Sequence, residues 1–443
     1  MTGSKKKAII ALFCTVVILF ASCFPATAVE PIPNTSAAES VYLWNAEYNE
    51  IITSRSDKEV IFPASMTKIM AGLVAIDIVG ERLDEKVTIT PDMLSSKGTS
   101  MQLRVGEVVS YLDLLYAAIC GGFNDATTAL AVASAGSVDA FVTKMNEKAK
   151  SLGAKNTNYT NPTGWHDDAM VTTLADTAII AKAAMKNELY VKVSSALSYT
   201  IEKTNLSNSF TVHNRNGLIG SHYAHGYYNK RAKGLIAGMT DEGGHCVATF
   251  FEDSGLTYLC IVMGASEENG VVNSYKIANS LISHIVYYYG EVKVLKKDDV
   301  LTSVPVRLAV TSDDTEFYML DCLPSSDITI FTPYNSASLE NIEFKPYIFA
   351  DDLKAPIKKG QIIGGVDIFV DGVLRGSADL CAARDVSANG FLVAMSNAKS
   401  MLSSRGFIVF LIVFVALFLM YFVKYELNGL RKKSQKIHFD RLY

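Results

Sequence analysis

The stretch Pro63-Ala64-Ser65-Met66-Thr67-Lys68-Ile69-Met70 decides how the rest of the chain is read. It follows a short run with strand character, Glu59–Phe62, and opens an apolar helical pattern, Met66 to Val79. Ser65 is therefore expected at a helix N-terminus, where partial positive charge favours a developing anion. Lys68 lies three residues on, on the same helical face and one turn away. A serine is a weak nucleophile until a neighbouring base takes its proton. A lysine buried in a helix–sheet seam loses the solvation of its charge, and its pKa falls toward the range in which it accepts a proton. Ser-x-x-Lys alone is common, an N-cap followed by a surface lysine being the bland alternative, so the assignment depends on the surrounding residues.

Outward from this turn, Val41–Trp44 and Glu59–Phe62 read as short strands around a turn at Asn49-Glu50. Tyr111 to Cys120, Asp125 to Leu152, Thr172 to Lys186 and Val272 to Tyr289 read as helices, and Tyr199 to Val212 and Gly244 to Met263 as strands. Strands at both ends of a helical middle predict an α/β domain over 38–290, a sheet backed by helices. From about Glu291 short β-branched runs (Val304–Val310, Ile328–Phe331, Gln361–Val370) alternate with polar turns. That texture predicts a small C-terminal all-β domain over 291–385.

The chain has 443 residues, 49% hydrophobic and 19% charged, with a formal net charge of -4. This composition excludes a disordered chain and gives no support to a nucleic-acid surface. The apolar excess has two addresses. Lys5, Lys6 and Lys7 precede an apolar run, Ala8 to Phe20, and small residues ending in Ala26-Thr27-Ala28. That is the signal-peptide pattern, with cleavage expected after Ala28, a short linker over 29–37, and a lipidated Cys23 as the competing reading. Gly406 to Val423 is long and apolar enough to cross a bilayer. It comes after a juxtamembrane segment over 386–405. The tail over 424–443 carries Lys424, Arg431, Lys432, Lys433, Lys436 and Arg441, which marks the cytoplasmic side. The body is thus expected on the extracytoplasmic face of a cell membrane, held by a single C-terminal span. Cys120, Cys246, Cys260, Cys322 and Cys381 are widely spaced and odd in number, which is no disulfide framework.

Several stretches around PASMTKIM resemble the penicillin-binding D-Ala-D-Ala carboxypeptidases of the low-molecular-weight, C-terminally anchored kind. Val41–Asn45 looks like their opening strand. Met101–Glu107 and Asp113–Tyr116 look like the approach to their second motif. Asn161-Pro162-Thr163-Gly164-Trp165-His166 is similar to their NP-x-G loop, and Ala355–Gly360 to a segment of their C-terminal β domain. The resemblance covers nearly the whole chain. It implies a β-lactamase/transpeptidase-like fold and a serine-type reaction on peptidoglycan stem peptides. Ser65 would attack the carbonyl between the last two D-alanines, with Lys68 as proton acceptor and Asn124 beside them. The oxyanion would lie between the backbone N–H groups of Ser65 and Met239, and Gly238 and Thr240 would line the substrate. β-Lactams would acylate the same serine. No metal and no organic cofactor is implied.

Three positions depart from the family pattern. Gly122 stands where the second motif usually has serine. Ile236 and Ala237 stand where the third has lysine and threonine, in a register fixed by Gly238-Met239-Thr240-Asp241-Glu242. Strand alternation places Lys233 and Arg231 on the opposite face from Ile236, and Lys230 about 20 Å away at roughly 3.3 Å per residue. The segment Ala265–Tyr275 lacks the arginine usual there and holds Glu267 and Glu268 instead. These losses keep a second function open beside the active carboxypeptidase: a catalytically impaired or inactive, membrane-anchored penicillin- or peptidoglycan-binding relative. A β-lactamase or other amidase of the superfamily would not need the anchor and β domain. His166 with Asp167 and Asp168 reads as loop ordering rather than a metal site, and His222 and His225 lack an evident third ligand. The Tyr287-Tyr288-Tyr289 run reads as packing.

Overall fold

The computed structural model describes residues 31–56, 59–94, 97–311, 318–334, 341–350, 352–370 and 372–439. The leader expected over 1–28 lies outside them. The chain divides into two compact units, the first holding residues 31–290 and 331–334, the second most of the chain beyond residue 290.

In the first unit Ser40–Asn45 (β1) is buried along its whole length. It belongs to a five-stranded antiparallel sheet with Glu50–Ser56 (β2), Ala232–Thr240 (β3), Gly244–Asp253 (β4) and Leu256–Ala265 (β5), in the order β2-β1-β5-β4-β3. The hairpin partner of β1 is Glu50–Ser56 and not the expected Glu59–Phe62, of which Ile61 makes only a lone bridge to Thr172. The reason lies in the edge: β2 is polar and half-exposed, as edge strands often are, so its hydrophobic pattern is faint.

Helices Thr67–Val79 (α1), Tyr111–Ile119 (α2), Asn124–Ala135 (α3), Val138–Leu152 (α4), Leu174–Met185 (α5) and Glu188–Ser195 (α6) cover one face of the sheet, and Asn273–Tyr288 (α7) covers the other. The single helix expected over Asp125–Leu152 is two, bent by 87°. Gly136 ends the first at φ 87, and the Ser137 hydroxyl caps the second by accepting from the Ala140 N–H at 3.1 Å. Tyr199–Val212 is a hairpin, Ser198–Ile201 with Phe210–His213. On the helical side Ile69, Met70, Leu114, Phe141 and Tyr190 share one core with Ile236, Ala248 and Ile261. On the other, Val247, Phe251 and Val262 join Ile277, Leu281 and Ile285. Helix α1 is buried on almost every side, and a Cβ on Gly72 would meet the Tyr190 ring at 2.7 Å. The backbone that carries Lys68 is therefore fixed by close packing.

The second unit is built on an antiparallel sheet of Thr302–Val306 (β6), Tyr318–Pro324 (β7), Ile342–Ile348 (β8), Ile362–Val370 (β9) and Val373–Ala382 (β10), in the order β6-β7-β10-β9-β8. Its own core holds Val306, Leu320, Ile330, Val366, Ile368 and Leu380. Gly390–Leu402 (α8) and Arg405–Phe439 (α9) complete it. Within α9, Arg405–Arg431 holds an 18-residue stretch of mean hydropathy 3.0, none of which is buried. At 1.5 Å per residue it runs about 40 Å, enough for a hydrocarbon core of about 30 Å. It is a candidate membrane span that begins at the expected place. Cys120, Cys246, Cys260 and Cys322 are buried free thiols.

Candidate active site

Ser65 sits in a single tight turn, Ala64–Met66, that leads into α1. Strand β3 passes so close that a Cβ on Gly238 would run into Ser65 Oγ, so only glycine fits there. Lys68 is 1% exposed. Its amine is pulled down from the usual lysine range to about 7, first by burial and then by the nearby charge of Arg215. Lys68 Nζ donates to the Thr163 carbonyl at 2.6 Å, and among the described residues it has no hydrogen bond to Ser65 Oγ. That carbonyl is placed by the Asn161 side chain, whose Oδ1 accepts from Thr163 N at 3.1 Å, Thr163 Oγ1 at 2.9 Å and Gly164 N at 2.9 Å. With one N–H of a neutral amine held by Thr163, its lone pair is left for a serine proton.

Asn124 opens α3; its backbone N–H donates to Thr99 O at 2.7 Å and Nδ2 to Lys97 O at 3.0 Å. Asp125 ties down the same loop, accepting from Ser100 Oγ, Met101 N and Leu103 N. Ser65, Asn124, Trp165, Arg215, Met239 and Thr240 line a cavity of about 280 Å³, together with Gly122, Ala237 and Gly238. β3 is the edge of its sheet, so alternate backbone groups point away from β4 toward the open side. Ile236 does not reach the cavity. It is 3% exposed in the core on the helical side of the sheet. Gly122 has φ 65, in the left-handed region, and a Cβ there would meet Arg215 Cδ at 3.0 Å.

Two basic side chains on and beside this strand are paired elsewhere, Lys233 with Glu252 at 2.7 Å and Arg231 with Asp253 at 2.9 Å. A register shift between Lys233 and Ile236 means that side-chain alternation cannot be counted through the strand, so the face assigned to these cations from sequence has no basis there. Glu267 is held by His245 at 3.1 Å. His166 bridges Asp168 at 3.2 Å and Glu242 at 3.8 Å, with its ring edge-on to Phe62. His222 stacks on His213 with centroids 3.9 Å apart, and His225 lines the same shallow cavity. Parallel stacked rings do not aim their nitrogens at one point. Among the described residues no three His, Cys, Asp or Glu side chains converge to hold a metal ion.

Sequence reasoning missed Arg215. The signal was present in Val212-His213-Asn214-Arg215-Asn216-Gly217-Leu218, a cation between two asparagines in a short polar run. Asparagine in such a run marks a turn locked by its own side chains.

A buried lysine one turn from a serine that lines the cavity is the arrangement expected of a serine acyl-transfer site. Residues 26–267 match the D-alanyl-D-alanine carboxypeptidase family, and the chain belongs to it. Residues 289–388 match the C-terminal domain of penicillin-binding protein 5. The chain is 26% identical over 361 residues to the D-alanyl-D-alanine carboxypeptidase DacF of Bacillus subtilis, covering 80% of this chain and 87% of that one. It is 29% identical over 374 residues to DacA of Haemophilus influenzae, covering 81% and 87%. The solved structure of penicillin-binding protein 5 from Haemophilus influenzae superposes with a TM-score of 0.57 at 25% identity, over 81% of this chain and 100% of that one.

Proposed function

We propose that the protein removes the terminal D-alanine from peptidoglycan stem peptides through an acyl-enzyme on Ser65. The observation that carries this reading is Lys68: a fully buried amine brought to about 7 and held one helical turn from a serine that opens on the cavity. In this reading the neutral amine takes the Ser65 proton as Oγ bonds to the penultimate D-Ala carbonyl. The oxyanion is met by the backbone N–H groups of Ser65 and Met239, and D-alanine leaves with a proton. Water then attacks the ester and frees the shortened peptide and Ser65. Donors aimed at such an oxyanion are typically worth about 10²–10³ in rate. Asn124 borders the acyl group, and Gly238 and Thr240 border the peptide. β-Lactams acylate the same Ser65, and α9 holds the body against the outer face of the cell membrane.

The test is a fluorescent-penicillin gel on membrane and soluble fractions, run beside an assay of D-alanine release. Wild type is expected to label in the membrane fraction and Ser65→Ala to stay dark. Deleting 406–443 should move the labelled band to the soluble fraction. An unlabelled wild type that releases no D-alanine would overturn the reading.

A further inference from the structure

His166 stands where three segments around Ser65 come together. The first is the run Phe62–Ala64 that leads into the serine's turn. The second is the loop 161–168, whose Thr163 carbonyl holds Lys68 Nζ at 2.6 Å. The third is the turn between β3 and β4, closed by Gly243 N donating to Thr240 Oγ1 at 2.9 Å. The second and third are both pressed against the first. A Cβ on Gly164 would run into the Ala64 carbonyl oxygen, and a Cβ on Gly243 would meet Ala64 Cβ at 3.1 Å and Phe62 O at 3.4 Å. The His166 ring lies edge-on to Phe62 with centroids 4.7 Å apart. Its Nε2 is 3.2 Å from Asp168 Oδ1 and its Nδ1 3.8 Å from Glu242 Oε2.

Loop ordering does not account for this side chain, because the loop is held without it. Besides the three bonds that Asn161 Oδ1 accepts, Asn161 Nδ2 donates to Trp165 O at 2.9 Å and Trp165 N to Thr163 Oγ1 at 3.2 Å. Asp167 Oδ1 accepts from Ala169 N at 2.9 Å. What His166 adds is a contact out of the loop. The imidazolium form carries a proton on each ring nitrogen, one for each carboxylate. Asp168 belongs to the same loop and is fully in solvent, whereas Glu242 belongs to the opposite wall. We propose that His166 is a positioning residue: as imidazolium it ties the β3–β4 turn, through Glu242, to the loop that orients Lys68, and so keeps the base and the Met239 N–H in one geometry about Ser65. Met239 lies three residues before Glu242 on the same hairpin. A small displacement of a donor aimed at the transition state costs rate rather than affinity. The inference rests on the reading of the cavity as a serine acyl-transfer site.

The test follows acylation of the full-length protein in detergent by fluorescent penicillin. Quenching at short times over a range of concentrations separates the limiting rate from the half-saturating concentration. His166→Phe keeps a ring against Phe62 and should lower the limiting rate about two- to five-fold, the range a partly exposed ion pair supplies, with half-saturation unchanged. Glu242→Gln should cost the same, and the double variant no more than either single one, because each removes the same link. Raising the salt from about 0.05 to 0.5 M should slow wild type toward the variants, since screening weakens a charge pair and leaves packing alone. If His166→Phe does not fold, Glu242→Gln on its exposed turn carries the comparison. Wild-type limiting rates in folded His166→Phe or Glu242→Gln overturn the inference. So do losses that multiply in the double variant, or a change confined to half-saturation. A wild type that takes no label overturns the acyl-transfer reading and this inference with it, whereas a labelled wild type matched by its variants overturns this inference alone.

Discussion

The start of α1 and the edge strand β3 face each other across Ser65, and they hold their chemistry differently. On the α1 side everything is fixed by burial. Lys68 is sealed in a core of Ile69, Met70 and the neighbouring helices, and its amine is oriented by a loop carbonyl that Asn161 sets. On the β3 side the family's lysine and threonine are gone. Ile236 has joined the core, Ala237 is small, and the strand offers the cavity backbone and Thr240. The charge in the cavity comes from Arg215, mounted on a loop outside the strand and seated against Gly122. Attack on a carbonyl needs a nucleophile and a base within about 3 Å of each other, which few arrangements supply. Recognition of a carboxylate needs only a donor cation somewhere on the right wall, which several backbones can deliver. The side with the stricter geometry is the side whose residues match the family motif.

The largest expected effect lies on the α1 side. Lys68→Met keeps the packing volume and removes the base, so penicillin acylation of Ser65 should fall by roughly 10²–10⁴, read by stopped-time labelling. Wild-type acylation should rise with pH through about 7 as the amine loses its proton, and the Met variant should lose that rise. Stability moves as well. The unfolded chain holds the Lys68 proton up to about 10.5, the folded chain only up to about 7. Between those values the unfolded state binds more protons, so wild-type stability should climb with pH across that window. Burial of the charge penalises the fold in full below about 7, on the order of a few kcal/mol. Lys68→Met should therefore melt higher than wild type at pH 6, with the gap closing toward pH 10. A Met variant that labels at the wild-type rate would remove the contrast between the two walls.

On the β3 side the expected changes are in stability. Restoring the family residues with Ile236→Lys and Gly122→Ser should damage the fold. Ile236→Lys puts an unpaired cation into the apolar core at a cost of several kcal/mol. Gly122→Ser adds about 1–2 kcal/mol for a side chain at positive φ, besides the push on Arg215. Thermal unfolding of each single variant and the pair checks this. A pair that keeps its melting temperature and gains D-alanine release would mean that β3 still has room for the family's polar set.

Legibility in the sequence divides along the same line. The turn at Ser65, the lysine one turn on and the helix beyond were legible because local periodicity and a short motif carry them. The break at Gly136-Ser137 was hidden by apolar residues on both sides of it, and β2 by its polar edge. The β3 face was misjudged because a register shift at Lys233/Ile236 interrupts the alternation on which the reading relied. Arg215 escaped because nothing local says that a loop after a hairpin will return to the second motif. The contact that brings it there, Arg215 N on Cys120 O, joins residues far apart in the chain.

The smallest expected effect tests how Arg215, the cavity's cation for a peptide carboxylate, is held. Its guanidinium rests 4.8 Å from the centre of the Tyr223 ring, which is 43% exposed. At such a half-exposed site a cation–π contact contributes about 0.5–1 kcal/mol. Tyr223→Leu should then lower the preference for an acid-terminated over an amide-terminated peptide by roughly two- to five-fold, the factor that energy corresponds to. Tyr223→Phe keeps the ring face and drops only the hydroxyl, so it should leave the preference where it was. The bonds that clamp the flanking residues, Asn214 Nδ2 on Ser194 O and Asn216 Nδ2 on Gly234 O, are untouched in both variants, so the arginine stays on its loop and only its stacking surface changes. If neither variant moves the preference, the ring does not orient the guanidinium and the clamped backbone alone sets its position. If Phe loses as much as Leu does, the hydroxyl and not the ring face is what Arg215 needs.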